Sequence, residues 1–132
     1  MSLYYADTSA VIKLLAEATD SKAFAAFYDG HDDAEWVSSA LLRIEVTRVV
    51  LRAVPALLPD ARDLLAFSYI AIDDDIVDGA MSEPDRGLRS LDAIHLATAR
   101  VLVPELDGLV TYDERLRKAA TDAGLPVISP RD

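Results

Sequence analysis

Apolar residues along this chain alternate between two spacings, which predicts short strands separated by helices. Strand-like apolar runs lie at residues 3–6, 36–38, 69–72, 109–111 and 127–128. Between them, apolar residues recur every three to four positions, as in helices with one buried face. These helices are predicted at residues 10–17, 21–29, 40–53, 59–67, 73–80, 91–103 and 113–124. This alternation predicts an α/β fold with a parallel sheet covered on both faces.

Several helix ends carry local signals. Ser39 and Ser90 stand where N-caps are expected, and Pro55 is expected to end the helix at 40–53. Residues 82–87 (SEPDRG) form the clearest loop. The acidic run at residues 73–75 is interpreted as a solvated helix start, which the helix dipole stabilises, rather than as a second metal site.

Composition limits the possible chemistry. The chain has 132 residues, which suits one domain spanning residues 1–132, and 52% of them are hydrophobic. It contains no cysteine, which excludes disulfides, thiolate zinc sites and cysteine nucleophiles. With only two histidines, a histidine-rich metal site is excluded too. No leader or membrane span is expected, so the sequence predicts a cytoplasmic protein.

The formal net charge of −10 argues against passive binding to nucleic acid, because such binders are usually basic. It does not argue against a metal-dependent nuclease. A carboxylate cluster itself adds negative charge, and bound cations reverse the sign locally.

Acidic residues follow two of the predicted strands. Asp7 ends the run at 3–6, and Asp113 lies just beyond the run at 109–111. Ligands of open parallel sheets bind beyond the carboxyl ends of the strands, so both carboxylates are expected at one edge. Each also has a structural interpretation as the N-cap of the helix that follows it.

Glu45 and Asp92 lie within predicted helices. The helical neighbours of Glu45 are apolar: Leu41, Leu42, Val46 and Val49. A buried carboxylate is unfavourable unless it is paired or bound to a metal. The structural alternative is an ion pair with Arg43, Arg48 or Arg52. Asp92 falls in a first helical turn, where the helix dipole alone would favour a negative charge.

If the fold brings Asp7, Glu45, Asp92 and Asp113 together, they form a cluster of oxygen ligands. Hard divalent cations such as Mg²⁺ prefer oxygen ligands. A metal in such a cluster can activate water and neutralise charge on a scissile phosphate. We therefore expect one or two metal ions and phosphodiester hydrolysis.

The same residues carry a family resemblance. The segments at residues 3–10 (LYYADTSA), 43–46 (RIEV), 91–99 (LDAIHLATA) and 110–113 (VTYD) resemble the signature blocks of PIN-domain ribonucleases. The chain is most similar to the VapC-type toxins of bacterial toxin–antitoxin pairs. The resemblance covers essentially the whole chain, and the block around Asp92 is its most specific part.

The resemblance implies a three-layer α/β/α sandwich with a parallel sheet of about five strands. It implies that Asp7, Glu45, Asp92 and Asp113 are catalytic metal-site residues, with Thr8, Ser9 and Thr111 as accessory polar residues. It also implies an endoribonuclease dependent on Mg²⁺ or Mn²⁺ that cleaves structured RNA such as tRNA and inhibits translation. The expected partners are an RNA substrate, a VapB-type antitoxin and a second copy of the chain.

The chain departs from the family pattern after the last acid. Many relatives have an aromatic residue where Leu116 stands, and some carry a further acid or amide where Arg115 and Arg117 stand. These departures leave the number of metals open. Candidates for phosphate contacts are Lys13, Arg43, Arg86, Arg89 and Arg115.

Other prominent side chains are interpreted structurally. His95 lies three residues after Asp92, and a hydrogen-bonding or packing role is favoured over catalysis. Tyr4, Tyr5 and Trp36 are expected in the core or at its rim. The apolar faces of residues 10–16 and 24–28 either form a groove for an antitoxin segment or simply cover the sheet.

Two alternative functions are considered. A receiver-like Mg²⁺-binding regulatory module would need a second acid beside Asp7 and a lysine after a late strand. Thr8 follows Asp7 instead, and no lysine directly follows the run at 109–111. The other alternative is a catalytically idle PIN-like binding module, against which the presence of all four acids speaks.

Overall fold

A five-stranded parallel sheet runs through the computed structural model, which describes residues 1–132. The strands are β1 (Leu3–Ala6), β2 (Glu35–Ser39), β3 (Ser68–Ile70), β4 (Gly108–Val110) and β5 (Val127–Ile128). Their order across the sheet is β3-β2-β1-β4-β5, and every neighbouring pair is parallel. The predicted parallel sheet of about five strands is confirmed.

Seven α-helices connect and cover these strands. They are α1 (Thr8–Leu15), α2 (Ser21–Gly30), α3 (Leu41–Ala53), α4 (Leu58–Leu64), α5 (Asp74–Met81), α6 (Ser90–Arg100) and α7 (Glu114–Asp122). No helix is both long and apolar enough to cross a membrane.

The two faces of the sheet support separate hydrophobic cores, which confirms the three-layer α/β/α arrangement. Successive side chains of a strand point to opposite faces. On β1, Tyr4 packs into a core with residues of α1, α2, α3 and α4, whereas Tyr5 packs with residues of α6 and α7. Trp36 lies in the first core, so the expected burial of these three aromatic residues is confirmed.

The strand order creates a crevice at the centre of the sheet. From β1 the chain builds outward through β2 and β3, then returns to add β4 on the other side of β1. Ala6 of β1 pairs with Val110 of β4, so both strands end at the same level. In open α/β sheets, ligands bind at such a reversal of strand order. Asp7 and Thr111 are the first residues beyond this edge.

Proline begins a helical segment as well as ending one. Helix α3 ends at Ala53, as expected, but a 3-10 turn starts at Pro55 and leads directly into α4 at Leu58. Proline lacks only a donor that a first turn leaves unused, so it is tolerated there. Helix α4 then ends at Leu64, earlier than predicted, and β3 starts earlier, at Ser68.

The predicted N-cap role of Ser90 is wrong. Ser90 is the first residue of α6, and Arg89 occupies the cap position without a side-chain hydrogen bond. Helix α6 also ends at Arg100 rather than Val103. Pro104 disfavours helical backbone at the residue before it, which explains the earlier end. The helix start expected at residues 73–75 is confirmed, because the Asp73 carboxylate accepts from Ile76 N–H at 2.9 Å and caps α5.

Candidate active site

Asp7 lies at the end of β1, buried and held from several sides. Its Oδ1 accepts hydrogen bonds from Ala10 N–H at 3.0 Å and from the Ser9 hydroxyl at 2.7 Å. Its Oδ2 accepts one from the Thr111 hydroxyl at 2.7 Å. Asp7 therefore caps α1, as the structural alternative proposed, while its carboxylate also faces the crevice between β1 and β4.

Thr111 and Ser9 join the two strand ends. The Thr111 hydroxyl that donates to Asp7 also accepts from Asp113 N–H at 3.1 Å. The Ser9 hydroxyl accepts from Tyr112 N–H at 2.9 Å. Ser9 and Thr111 thus form the hydrogen-bonded link that fixes Asp7 relative to Asp113.

Asp113 is the N-cap of α7. Its Oδ1 accepts a hydrogen bond from Leu116 N–H at 2.9 Å, and its second carboxylate oxygen makes no hydrogen bond within the protein. Leu116, which departs from the family pattern, is fully buried in the core beneath α7. This arrangement uses one oxygen of Asp113 for folding and leaves the other for a ligand.

Glu45 pairs with partners other than those expected. None of the three candidate arginines contacts it, so the predicted alternative of an arginine ion pair is wrong. Instead, Glu45 Oε1 accepts from the Thr8 hydroxyl at 2.7 Å and lies 2.8 Å from His95 Nε2. Burial works to raise the Glu45 pKa, but the hydrogen bonds from His95 and Thr8 outweigh it and hold the pKa below its usual value.

His95 is a hydrogen-bonding residue, as expected, but its partners were not foreseen. It is only 2% exposed, and its Nδ1 lies 2.6 Å from the buried Tyr5 hydroxyl. It connects β1 through Tyr5, α6 through its own backbone and α3 through Glu45. The available sequence signal was a histidine on the apolar part of the helix that carries Asp92.

Asp92 lies close enough to the other three acids for their charges to shift its pKa. Burial raises its pKa to about 6, and the negative charges of Asp113, Asp7 and Glu45 contribute to that rise. No hydrogen bond opposes the shift. Asp7 has a raised pKa because of its burial, although His95, Thr111 and Ser9 work in the opposite direction. The fold therefore brings all four predicted acids into one electrostatic neighbourhood.

The basic side chain that meets the cluster is His95, which pairs with Glu45. No lysine or arginine forms an ion pair with Asp7, Glu45, Asp92 or Asp113. However, no group of three or more acidic or histidine side chains already stands in metal-binding geometry. The acids are thus close enough to repel one another but do not form a finished coordination shell. Their oxygen ligands, and a negative charge that no lysine or arginine offsets, fit a hard divalent cation.

The candidate phosphate-binding side chains do not contact the acids. Arg43 lies over the Tyr69 ring at 4.4 Å, and the Lys13 ammonium donates to the Thr19 carbonyl at 2.6 Å. The other three candidates are exposed: Arg86, Arg89 and Arg115. These residues therefore stay predictions for substrate contact.

Comparison with known proteins gives consistent matches along the chain. Residues 4–122 match the family model described as the PIN domain. The chain is 40% identical over 131 residues to Ribonuclease VapC35 of Mycobacterium tuberculosis, covering 97% of each chain. It is 38% identical over 131 residues to Ribonuclease VapC46 of the same species, covering 98% of this chain and 99% of that protein.

Solved structures share the fold at lower identity. A toxin–antitoxin complex from Klebsiella pneumoniae has a TM-score of 0.65 at 23% identity, covering 100% of this chain and 99% of that chain. VapBC2 from Rickettsia felis, bound to a DNA fragment from its promoter, has a TM-score of 0.71 at 12% identity, covering 97% and 98%. At these identities the likeness concerns the architecture of the chain.

Proposed function

The chain belongs to the PIN-domain family and resembles its VapC type, and from that premise we propose that it is a metal-dependent endoribonuclease. The observation that carries the proposal is the gathering of four acids, with no lysine or arginine partner, at the reversal of strand order. The family relationship supplies the class of substrate, since the curated relatives are ribonucleases.

In this proposal Asp7, Glu45, Asp92 and Asp113 would hold Mg²⁺ or Mn²⁺, the kind of metal that PIN-domain ribonucleases generally use. The metal would supply an activated water and neutralise charge on the scissile phosphate. Thr111 and Ser9 keep Asp7 oriented, and Thr8 keeps Glu45 oriented. Asp92 has no hydrogen bond to give up, so it can turn toward a cation at little cost.

The wider biological role follows from the VapC relatives. We propose that the chain is the toxin of a type II toxin–antitoxin pair, and that it cleaves structured RNA such as tRNA and thereby inhibits translation in the cytoplasm. A VapB-type antitoxin would be its inhibitor, and a homodimer is its expected assembly. Co-purification of a small partner with the tagged chain from its own cells tests the antitoxin; a chain that purifies alone argues against it.

The nuclease proposal is tested by RNA cleavage. Wild type, Asp7→Asn and Asp92→Asn are incubated with labelled tRNA in Mg²⁺, Mn²⁺ or EDTA. We expect the wild type to cleave only with metal, leaving 5′-phosphate ends, and each variant to lose at least about 100-fold in rate, because each removes a metal ligand. Asp122→Asn is the matched control, since Asp122 is an exposed acid paired with Lys118.

The possible outcomes separate the alternatives. Equal cleavage by wild type and both variants, with and without EDTA, would refute the metal site. Metal binding without cleavage of any RNA would favour the catalytically idle binding module instead.

A further inference from the structure

We propose that His95 is a positioning residue that fixes the Glu45 carboxylate, and that Tyr5 holds the His95 ring in the orientation from which its Nε2 donates. This inference rests on the proposed function, because the orientation of Glu45 matters to chemistry only if Glu45 serves the metal. The three side chains come from β1, α6 and α3, so their contacts lock three separate elements around one carboxylate.

The Tyr5 hydroxyl holds the His95 ring at the nitrogen that faces away from Glu45. Its side chain is fully buried, and its oxygen accepts a hydrogen bond from Ser39 N–H at 3.2 Å. The hydroxyl proton still needs an acceptor. Among its polar neighbours, which include the Ser38 and Thr98 hydroxyls, His95 Nδ1 lies in hydrogen-bonding geometry at 2.6 Å. When Tyr5 donates to it, Nδ1 is unprotonated. A neutral imidazole then carries its proton on Nε2.

That proton points at Glu45. His95 Nε2 lies 2.8 Å from Glu45 Oε1, and the Thr8 hydroxyl donates to the same oxygen at 2.7 Å. Two donors thus converge on Oε1, whereas Oε2 has no donor from the protein. A carboxylate held in this way presents one oxygen in a constant direction. A side chain that hydrogen-bonds a metal ligand without contacting the metal typically contributes about 10- to 100-fold to metal affinity or activity.

The ring proton can be observed without metal or substrate. The chain has two histidines, and His31 is an internal reference. His31 Nδ1 lies 2.7 Å from the Phe27 carbonyl oxygen, which only accepts, so His31 carries a proton on Nδ1. In ¹⁵N spectra of the ring nitrogens near neutral pH, we expect a proton on Nε2 of His95 but not on Nδ1. The variant His31→Gln assigns the signals, and a proton on Nδ1 of His95 would overturn the inference.

Two amide variants distinguish the role of His95 Nε2 from that of Nδ1. The nitrogen of Gln can occupy the place of His95 Nε2, whereas the shorter Asn reaches only the place of Nδ1. We expect His95→Asn to weaken Mn²⁺ binding, measured by calorimetry, by about 10- to 100-fold. His95→Gln should stay within about threefold of the wild type, and RNA cleavage should follow the same order.

The control is Leu96→Ala, which removes a buried side chain from the neighbouring core and should lower stability while leaving Mn²⁺ affinity intact. If His95→Asn does not fold, Tyr5→Phe replaces it. That variant keeps the ring and the Nε2 proton that Glu45 accepts, but it removes the hydrogen bond at Nδ1, so the ring should be held less firmly and Mn²⁺ binding should weaken. Equal Mn²⁺ affinity in the wild type and in the His95 or Tyr5 variant would overturn the inference.

The two proposals fail in different ways. A wild type that binds Mn²⁺ and cleaves RNA, with the Asn and Gln variants alike, overturns only the role of His95. A wild type that neither binds Mn²⁺ nor cleaves RNA overturns the proposed function, and the role of His95 toward a metal with it, even when the ring proton is found on Nε2.

Discussion

Asp92 is the acid that the fold compensates least. Asp7 and Glu45 each accept hydrogen bonds from neighbouring side chains, and Asp113 accepts one from a helix N-terminus. Asp92 accepts none, and its burial and the repulsion of the other carboxylates outweigh the attraction of His95 and raise its pKa to about 6. At neutral pH its charge is therefore a destabilising feature of the metal-free protein.

This imbalance predicts that Asp92→Asn stabilises the metal-free protein. In the unfolded chain Asp92 ionises near its ordinary pKa of 3.8, whereas in the folded chain it ionises near 6. The folded state binds the proton more tightly, so the free energy of unfolding falls as pH rises from about 4 to about 6. Allowing for solvent screening, the full difference is about 1 kcal/mol.

Thermal unfolding at several pH values, in EDTA, measures this effect. The melting temperature of Asp92→Asn should exceed that of the wild type by a few degrees above about pH 6.5, and the difference should disappear near pH 4. A difference that does not change with pH would show that the ionisation of Asp92 is not its cause.

The sequence predicted individual residues unequally. Asp7 and Asp113 could be placed because each follows a strand, and parallel strands end at one edge. The partner of Glu45 could not, because His95 is 50 positions away and meets it only through the way α3 and α6 approach each other. Arg43, Arg48 and Arg52 were the nearer candidates along the chain, but none of them forms an ion pair with Glu45.

At the scale of elements, α2 depends on a distant residue for its N-terminus. Asp20 occupies the cap position in a left-handed conformation, with φ of 67°, and its side chain makes no capping bond. The Asp132 carboxylate accepts instead from Asp20 N–H at 2.9 Å and from Ala23 N–H at 3.0 Å. Arg131 adds an ion pair to Asp20 at 3.2 Å. The last residues of the described chain thus complete α2.

We therefore expect Asp132→Ala to lower the melting temperature by a few degrees, as loss of a helix cap does. Asp132→Asn keeps an acceptor oxygen and should lose less. Asp122→Ala removes an acid from an exposed pair with Lys118 and should leave the melting temperature unchanged. Thermal unfolding monitored by circular dichroism compares the three variants; equal melting temperatures for Asp132→Ala and Asp122→Ala would contradict the capping role.

The presence of each strand and helix was predicted well because it depends on the local spacing of apolar residues. The exact ends depend on contacts with other parts of the chain. Every predicted strand and helix is present. The errors lie at ends such as the start of α6 at Ser90 and its end at Arg100, where several local signals compete and neighbouring packing decides the outcome. Asp132 lies 112 positions from Asp20 in the sequence, so no local pattern could predict that it caps α2.

At the scale of the molecule, the helices on one face leave an apolar groove. Leu14 and Leu15 of α1, Tyr28 of α2 and Leu64 of α4 line it, and Asp60 and Asp63 stand at its rim. The predicted groove between α1 and α2 thus has a third wall from α4. An amphipathic segment with a basic side chain beside its apolar residues would complement both features.

If the antitoxin occupies this groove, Leu14→Glu should weaken its binding by at least about tenfold, because a charge would replace part of an apolar contact. Val101→Glu is the matched control, since Val101 is an apolar residue that is 60% exposed and lies outside the groove. Calorimetric titration of the purified antitoxin into each variant measures the effect. Equal affinity of the two variants for the antitoxin would place it elsewhere on the surface.

The order of the strands also governs when the central crevice can form during synthesis of the chain. The central crevice lies between β1, made first, and β4, made near the end of synthesis. Asp7 therefore cannot meet Thr111 and Asp113 until most of the chain has left the ribosome. If the protein is a nuclease, a growing chain on the ribosome is harmless, and translation that stops before residue 108 yields an inert product.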